Sequence, residues 1–424
     1  MLTRIVRNAP SLEAFLRDLR VDLSEPQRRH LLNLADSLLV CEDTKTLANL
    51  QRQFLEAPDP SNLADFLRIS PWSAAAVRDA LRRQQVAWAL AYAQERGWPK
   101  LLYVNLDDSL GEKDKHTRCL EPVDWFHDHN ESGRGRPCYK KAFCYLECTL
   151  RVGDITVTVD LRLYLRAKTV RRLNRHRPPG QRLSFCSKNR LARQMLEALR
   201  PLLPADWKVY VQFDSWYASE KLIRFIYRQS WHVVGALKCN RKVGGQRLDR
   251  LASAFRHQRY TRVRVTAADG NATTYCVRET TGRLVGFPHT VRVYMSKRHP
   301  GAKASAYFMS TDLTRSAAAA LRGYGGRWSC EVANFYLKTQ LGLADFRVQS
   351  YEAVEKYLVV VHLAWAYVEH RFSLERSAQI QCYGDLIRRH RDEHARATLT
   401  EALQMVLATG KIEPVLQRFI RQPV

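Results

Sequence analysis

Two strand-like runs constrain this chain more than any other feature. Leu101-Leu-Tyr-Val-Asn-Leu106 and Lys208-Val-Tyr-Val-Gln-Phe213 read as buried strands. The first runs into Asp107-Asp108-Ser109 and the second into Asp214-Ser215-Trp216-Tyr217. A carboxylate at the C-terminal end of a buried strand is delivered to the edge of a sheet, where α/β folds build their sites. For either aspartate alone, a strand-end turn is the commonplace alternative.

A second feature lies downstream, in Tyr324-Gly-Gly-Arg327-Trp-Ser-Cys-Glu331-Val-Ala-Asn-Phe-Tyr-Leu-Lys338. At about 100° per residue, Tyr324, Arg327, Glu331 and Lys338 share one narrow helical stripe. Gly325 and Gly326 weaken the first turn, and Ser329 offers a cap for a helix that starts later. A solvated Arg327–Glu331 pair is the ordinary explanation of such spacing. Trp328, Val332, Phe335 and Leu337 load the same segment with apolar mass, which favours a packed helix carrying a carboxylate among cations.

The spacing Tyr-x2-Arg-x3-Glu-x6-Lys resembles the signature of bacterial insertion-sequence transposases with an Asp-Asp-Glu active site, the Tyr-Arg-Glu-Lys group. The resemblance covers about Leu101 to Val361, and the ends only in general layout. It implies an α/β fold: a ribonuclease H-like catalytic core with a β-rich insertion, preceded by an all-helical N-terminal domain. Asp107 fits the group's Asp-x-[Ser/Thr] pattern through Ser109, with Asp108 in reserve. The implied catalytic and metal-binding set is Asp107, Asp214 and Glu331. Tyr324, Arg327 and Lys338 are the implied DNA contacts.

Breaking a phosphodiester needs an activated water and a stabilised leaving oxygen, and two Mg²⁺ ions held by carboxylates supply both, with Mn²⁺ as a substitute. The resemblance further implies cut-and-paste transposition on double-stranded DNA. Its partners are terminal inverted repeats, target DNA and a second copy of the chain on DNA. A hairpin intermediate needs an aromatic in the insertion to hold a flipped base, and Tyr260, Tyr275 and Phe287 are candidates. Three rival readings remain: a catalytically silent DNA-binding protein derived from a transposase, a nuclease that cuts without joining, and an RNA-binding protein.

Charge agrees with a nucleic-acid partner. The 424 residues carry a formal net charge of +26, spread along the chain. A hydrophobic content of 46% excludes a disordered chain. Ten cysteines include no Cys-x2-Cys pair, so Cys138, Cys144 and Cys148 read as free thiols rather than a zinc site. No secretory signal is evident, and the apolar run Tyr357–Val368 is too short to span a bilayer. The expectation is a bacterial cytoplasmic, nucleoid-associated protein.

In chain order, residues 1–96 read as helical, either an ordinary bundle with a solvated basic face or, as the resemblance implies, a helical DNA-binding domain. Helices begin near Ser11 and Glu25-Pro26, Pro58-Asp-Pro60-Ser61 breaks the pattern, and a long helix runs from Ala74 to about Arg96. Residues 97–240 form the first part of the core. Gly111–His116 and Gly133–Pro137, with Arg134 and Arg136, read as polar loops. Ala142–Val152 and Ile155–Leu165 read as a hairpin around Gly153-Asp154. Lys168–Arg182 reads as a basic loop, with Arg171, Arg172 and Arg175 as phosphate contacts or as a solvated charge run. Residues 241–310 read as the β-rich insertion, with turns at Asp269-Gly270-Asn271 and Thr281-Gly282 and with Lys303 adding charge. Residues 311–373 return to the core with the Glu331 helix, and 374–424 form a helical segment whose role the residues do not give.

Overall fold

The structure is a computed structural model that describes residues 4–56, 59–133, 136–255, 258–266, 271–302 and 305–420. Pro58, Arg134, Asp269, Gly270 and Lys303 lie outside these residues. Five helices come first: α1 (Pro10–Asp18), α2 (Glu25–Val40), α3 (Leu47–Gln51), α4 (Pro60–Arg68) and α5 (Ala74–Glu95). Their starts follow from capping. Ser24 accepts from Gln27 N–H at the head of α2, and Ser73 accepts from Ala76 N–H at the head of α5. At α1 the cap position is Ala9, with Pro10 as the first helical residue.

Four strands follow: β1 (Leu101–Glu112), β2 (Asp124–Gly133), β3 (Arg136–Val152) and β4 (Ile155–Tyr164). Next come α6 (Ala167–Asn174), α7 (Lys188–Leu199), β5 (Lys208–Phe213), α8 (Glu220–Arg228) and β6 (His232–Leu237). The short pair β7 (Lys242–Val243) and β8 (Gln246–Arg247) precedes α9 (Leu248–Ala254). Four more strands are β9 (Thr261–Thr266), β10 (Ala272–Arg283), β11 (Thr290–Lys297) and β12 (Ala306–Ser310). The chain ends in α10 (Ala317–Gly325), α11 (Trp328–Thr339), α12 (Tyr351–Glu375), α13 (Tyr383–Thr409) and α14 (Glu413–Phe419).

One large mixed sheet organises these elements, in the order β2-β3-β1-β5-β6-β12-β11-β10-β9, with β4 also paired to β3. β1, β5 and β6 run parallel at its centre, and the other pairings are antiparallel. One face of the central strands is apolar. Leu102, Val104 and Leu106 pack there with Met195 of α7 and Ile223 of α8. The other face carries Asn105, Asp107 and Ser109 of β1 beside Tyr145, Glu147 and Thr149 of β3, and α11 covers it.

Several expectations are corrected by this arrangement. An all-helical N-terminal domain is not supported. α1, α2, α4 and part of α5 share a single apolar core with α12, and α5 continues onto the sheet through Val86 and Ala89. The reason is α12: residues 357–368 are buried throughout, so the helix requires apolar partners on every side. Lys168–Arg182 is not a loop over its first half, because Val170 and Leu173 of α6 are buried while Arg171, Arg172 and Arg175 stay exposed.

β1 runs on through Gly111, and Gly133, Arg136 and Pro137 belong to the strands β2 and β3. Thr281-Gly282 lies within β10. The strands β9 to β12 extend the central sheet, since β12 hydrogen-bonds to β6, and α9 adds a helix to that region. No helix among the described residues is long and apolar enough to cross a membrane.

Candidate active site

The parallel ladder between β1 and β5 runs from Leu101↔Lys208 to Leu106↔Phe213. The next residues are Asp107 and Asp214, so the ladder ends by setting two carboxylates side by side on adjacent strands, about 5 Å apart in backbone spacing. β5 stops there, and Asp214 Oδ1 accepts from Trp216 N–H at 2.9 Å. β1 continues, paired to β3 alone.

Asp107 and Asp108 face opposite ways, as neighbours on a strand must. Asp108 is taken up on the apolar side: Tyr217 donates its hydroxyl to Asp108 Oδ1 at 2.7 Å, and Lys188 forms an ion pair with Oδ2. Asp107 faces α11 instead.

The helical segment is broken once. α10 ends at Gly325 and α11 starts at Trp328, with Arg327 at its cap position; Ser329 does not cap it but donates to Gly326 C=O at 3.0 Å. A side chain on Gly326 would run into the Arg151 guanidinium, which fills that space. From this break Arg327 reaches back to the sheet. Its Nη1 donates to Asp107 Oδ2, and its Nη2 lies 3.5 Å from Glu331 Oε1. Three turns on, Lys338 Nζ donates to Ser109 Oγ at 2.7 Å. Tyr145 hydroxyl donates to Asn334 Oδ1 at 2.5 Å between these two points and fixes the helix on the strand. Tyr324 lies against Phe308, with its ring 5.8 Å from the Arg327 guanidinium.

Acid outnumbers base around Asp107. Burial pushes its carboxyl up to about 7, Arg327 pulls it down, and the nearby Asp214 and Glu331 push it further up. Glu147 stands directly opposite Asp107 on β3. It is fully buried, its Oε2 has no hydrogen-bond partner among the described residues, and burial followed by Asp107 raises its pKa far above the carboxylate range. Behind it, Thr158 hydroxyl donates to Glu369 Oε1 at 2.9 Å. Sequence reasoning missed Glu147, although it is the only acid in the apolar run Ala142–Val152.

The structure thus brings together Asp107, Asp214, Glu331, Arg327, Lys338 and Tyr324 along one face of β1. It does not bring in Arg171, Arg172 or Arg175: among the described residues no hydrogen bond or ion pair joins them to these carboxylates, and Arg172 donates to Glu121 C=O. Phe287 is buried in the core and is not free to stack on a base. A cavity of about 1590 Å³ opens beside α11, lined by Arg151, Tyr275, Arg298, Arg322, Tyr324 and Trp328. Its cations and aromatic rings suit a phosphate-bearing, base-bearing ligand.

The donor set suits a hard divalent ion, being carboxylate oxygens with a surplus of negative charge. The three ligand groups do not meet as tightly as two other clusters do. Asp36, His390 and His394 form one, and Glu112, Asp128 and Glu131 the other, each with its ligand atoms within 4.8 Å. In the latter, Lys140 already bridges all three acids. Around Asp107 the Arg327 guanidinium bridges Asp107 and Glu331. All ten cysteines are free thiols.

Compared with known families, residues 18–283 match the family described as DDE superfamily endonuclease. That is more than half of the chain and includes Asp107 and Asp214. No curated protein matches the sequence.

Proposed function

The chain belongs to the DDE superfamily endonuclease family, and on that premise we propose that it is a DNA transposase of the Tyr-Arg-Glu-Lys group with a ribonuclease H-like core. It cuts transposon ends at their inverted repeats and joins them to target DNA. The observation that carries this reading is the charge imbalance at Asp107. Carboxylates from β1 and α11 share one arginine, Arg327, with Asp214 at the end of β5 nearby, and burial and mutual repulsion raise Asp107 to about 7.

Asp107, Asp214 and Glu331 would hold two Mg²⁺ ions, or Mn²⁺ in their place. Bound there, the ions supply an activated water and a stabilised leaving oxygen for in-line displacement. Everything else falls to the chain. Asp107 must be deprotonated to serve as a ligand. Arg327, once released from Asp107, is placed to grip a DNA-end phosphate with its planar fork. Lys338 offers a point charge three turns away on the same line. Tyr324 packs where the cavity meets the carboxylates and borders the DNA strand. Glu147 and Glu369 form a dry floor beneath Asp107 and keep water from reaching it from behind. Arg171, Arg172 and Arg175, exposed on α6, contribute general attraction to the DNA backbone. A dimer on DNA holds two ends together for joining.

The deciding experiment is excision and strand transfer on a donor carrying the gene's flanking repeats, with Mg²⁺, for wild type beside Glu331→Gln. Joined product from wild type alone is the expected result. Equal activity in both removes Glu331 from the site. End binding without cleavage by wild type turns the reading to a silent DNA-binding protein, and cleavage without joining turns it to a simple nuclease.

A further inference from the structure

We propose that Asp36, His390 and His394 form a structural zinc-class metal site, separate from the catalytic carboxylates, that ties helix α13 to the N-terminal helices. Asp36 lies about one turn before the end of α2, and the two histidines lie four residues apart on one face of α13. All three side chains are buried, with exposures of 0%, 2% and 4%. Both imidazole Nε2 atoms point at one oxygen: Asp36 Oδ1 lies 2.8 Å from His390 and 2.9 Å from His394. The other oxygen, Oδ2, accepts from Ala9 N–H at 2.9 Å, which leaves Oδ1 committed to the histidines. His390 Nδ1 is buried with no partner among the described residues, so that ring's polar interaction is directed wholly through Nε2 into this cluster.

Two imidazole nitrogens and a carboxylate oxygen make a donor set for Zn²⁺ with one coordination position left open. Nitrogen donors disfavour Mg²⁺ and so separate this site from the carboxylates around Asp107. Tetrahedral ligands at about 2.0–2.1 Å from zinc stand about 3.3 Å apart, so closing around the ion requires each contact to widen by only about 0.5 Å. The placement gives the site a purpose. α13 is buried through Leu386, Ile387, His390, His394 and Thr398, whereas Leu399, Leu403 and Leu407 beyond them are exposed. Just beyond the cluster, Thr398 hydroxyl donates to Arg4 C=O at 2.9 Å, and past it the helix is exposed.

The test uses the full-length protein stripped with a chelator and then titrated with Zn²⁺ or Co²⁺ alone. One equivalent per chain, visible tetrahedral Co²⁺ absorption bands and a rise in melting temperature are expected. His394→Gln should weaken binding by at least about 100-fold while leaving the metal-free circular dichroism spectrum unchanged, since glutamine keeps a polar group beside Asp36. Glu331→Gln should bind like wild type. If the stripped wild type takes up no metal and its melting temperature does not move, the three residues are an ion-pair network only. If Glu331→Gln loses the bands and His394→Gln keeps them, the ion belongs to the catalytic carboxylates. Either result overturns the proposal. The wild-type titration stands even if the variant fails to fold.

Discussion

Asp107, partly buried, and Asp160, fully buried, are aspartates of the same sheet, and they are treated in opposite ways. Asp160 on β4 is surrounded by arginines: Arg82 at 2.7 Å, Arg162 at 2.9 Å and Arg78 at 3.8 Å. Burial alone would raise its pKa, but Arg162, Arg82 and Arg78 outweigh it and hold the group below the usual range. Asp107 has one arginine and shares it with Glu331, so burial, with Asp214 and Glu331 nearby, raises its pKa to about 7. The first is a completed ion cluster that fastens α5 to β4. The second is short of positive charge, and its deficit matches what divalent ions would supply. Burial does not mark a site; an unbalanced charge in a buried place does.

The sharpest way to break the comparison is to neutralise each aspartate. Asp107→Asn should abolish cleavage, by at least about 10³-fold, the scale for losing a group that stabilises transition-state charge. The same change should leave the melting temperature at pH 8 unchanged or higher, because it removes a charge that the fold compensates poorly. Asp160→Asn should do the reverse. It removes the carboxylate that three arginines share, although Arg78 keeps Glu355 and Arg82 keeps Asp79, and should cost about 3–5 kcal/mol in a denaturant titration, the range for breaking a buried pair. An equal loss of stability in both variants would erase the distinction.

A smaller effect appears with pH. The folded pKa of Asp107 is raised from its ordinary 3.8 to about 7. The folded state therefore holds this proton more tightly, and a stability penalty grows as pH rises from about 4 through 7 and is constant above. Metal-free protein should lose stability across that window, and Mg²⁺ should restore it. Because the ions compete with the proton, apparent Mg²⁺ affinity should fall by up to about tenfold per unit below pH 7. A flat profile would show that Asp107 is not the titrating ligand. The smallest effect belongs to α6. Replacing Arg171, Arg172 and Arg175 by alanine should weaken DNA binding on any sequence, reduce its salt dependence, and leave cleavage of bound DNA unchanged.

Much of this contrast is legible in the amino-acid sequence. β5 coincides with Lys208–Phe213 as read from the residues, because a half-apolar strand bounded by polar residues has one periodicity to offer. The resemblance carried by the Tyr324–Lys338 spacing picks out Arg327, which pairs with Asp107 and Glu331. The choice between Asp107 and Asp108 is not accessible from pattern, since both directions of a strand are allowed until Lys188 and Tyr217 claim one of them. The all-helical N-terminal domain is not supported for a related reason. Helical periodicity shows which face is apolar, not what covers it, and the partner of α2 and α4 is α12, about 300 residues away in sequence. α6 is hidden by its arginines, which obscure the apolar pair Val170 and Leu173 that buries the helix.

The contact between Arg327 and Asp107 spans 220 residues of sequence. Chains emerge from the ribosome N-terminus first, so β1 and β5 exist long before α11 does. The two aspartates can stand ready while Glu331 and Arg327 have yet to be made. The proposed cutting centre, assembled in that order, stays without Glu331 until most of the polypeptide has been synthesised, and a prematurely ended copy inherits the strands without the blade.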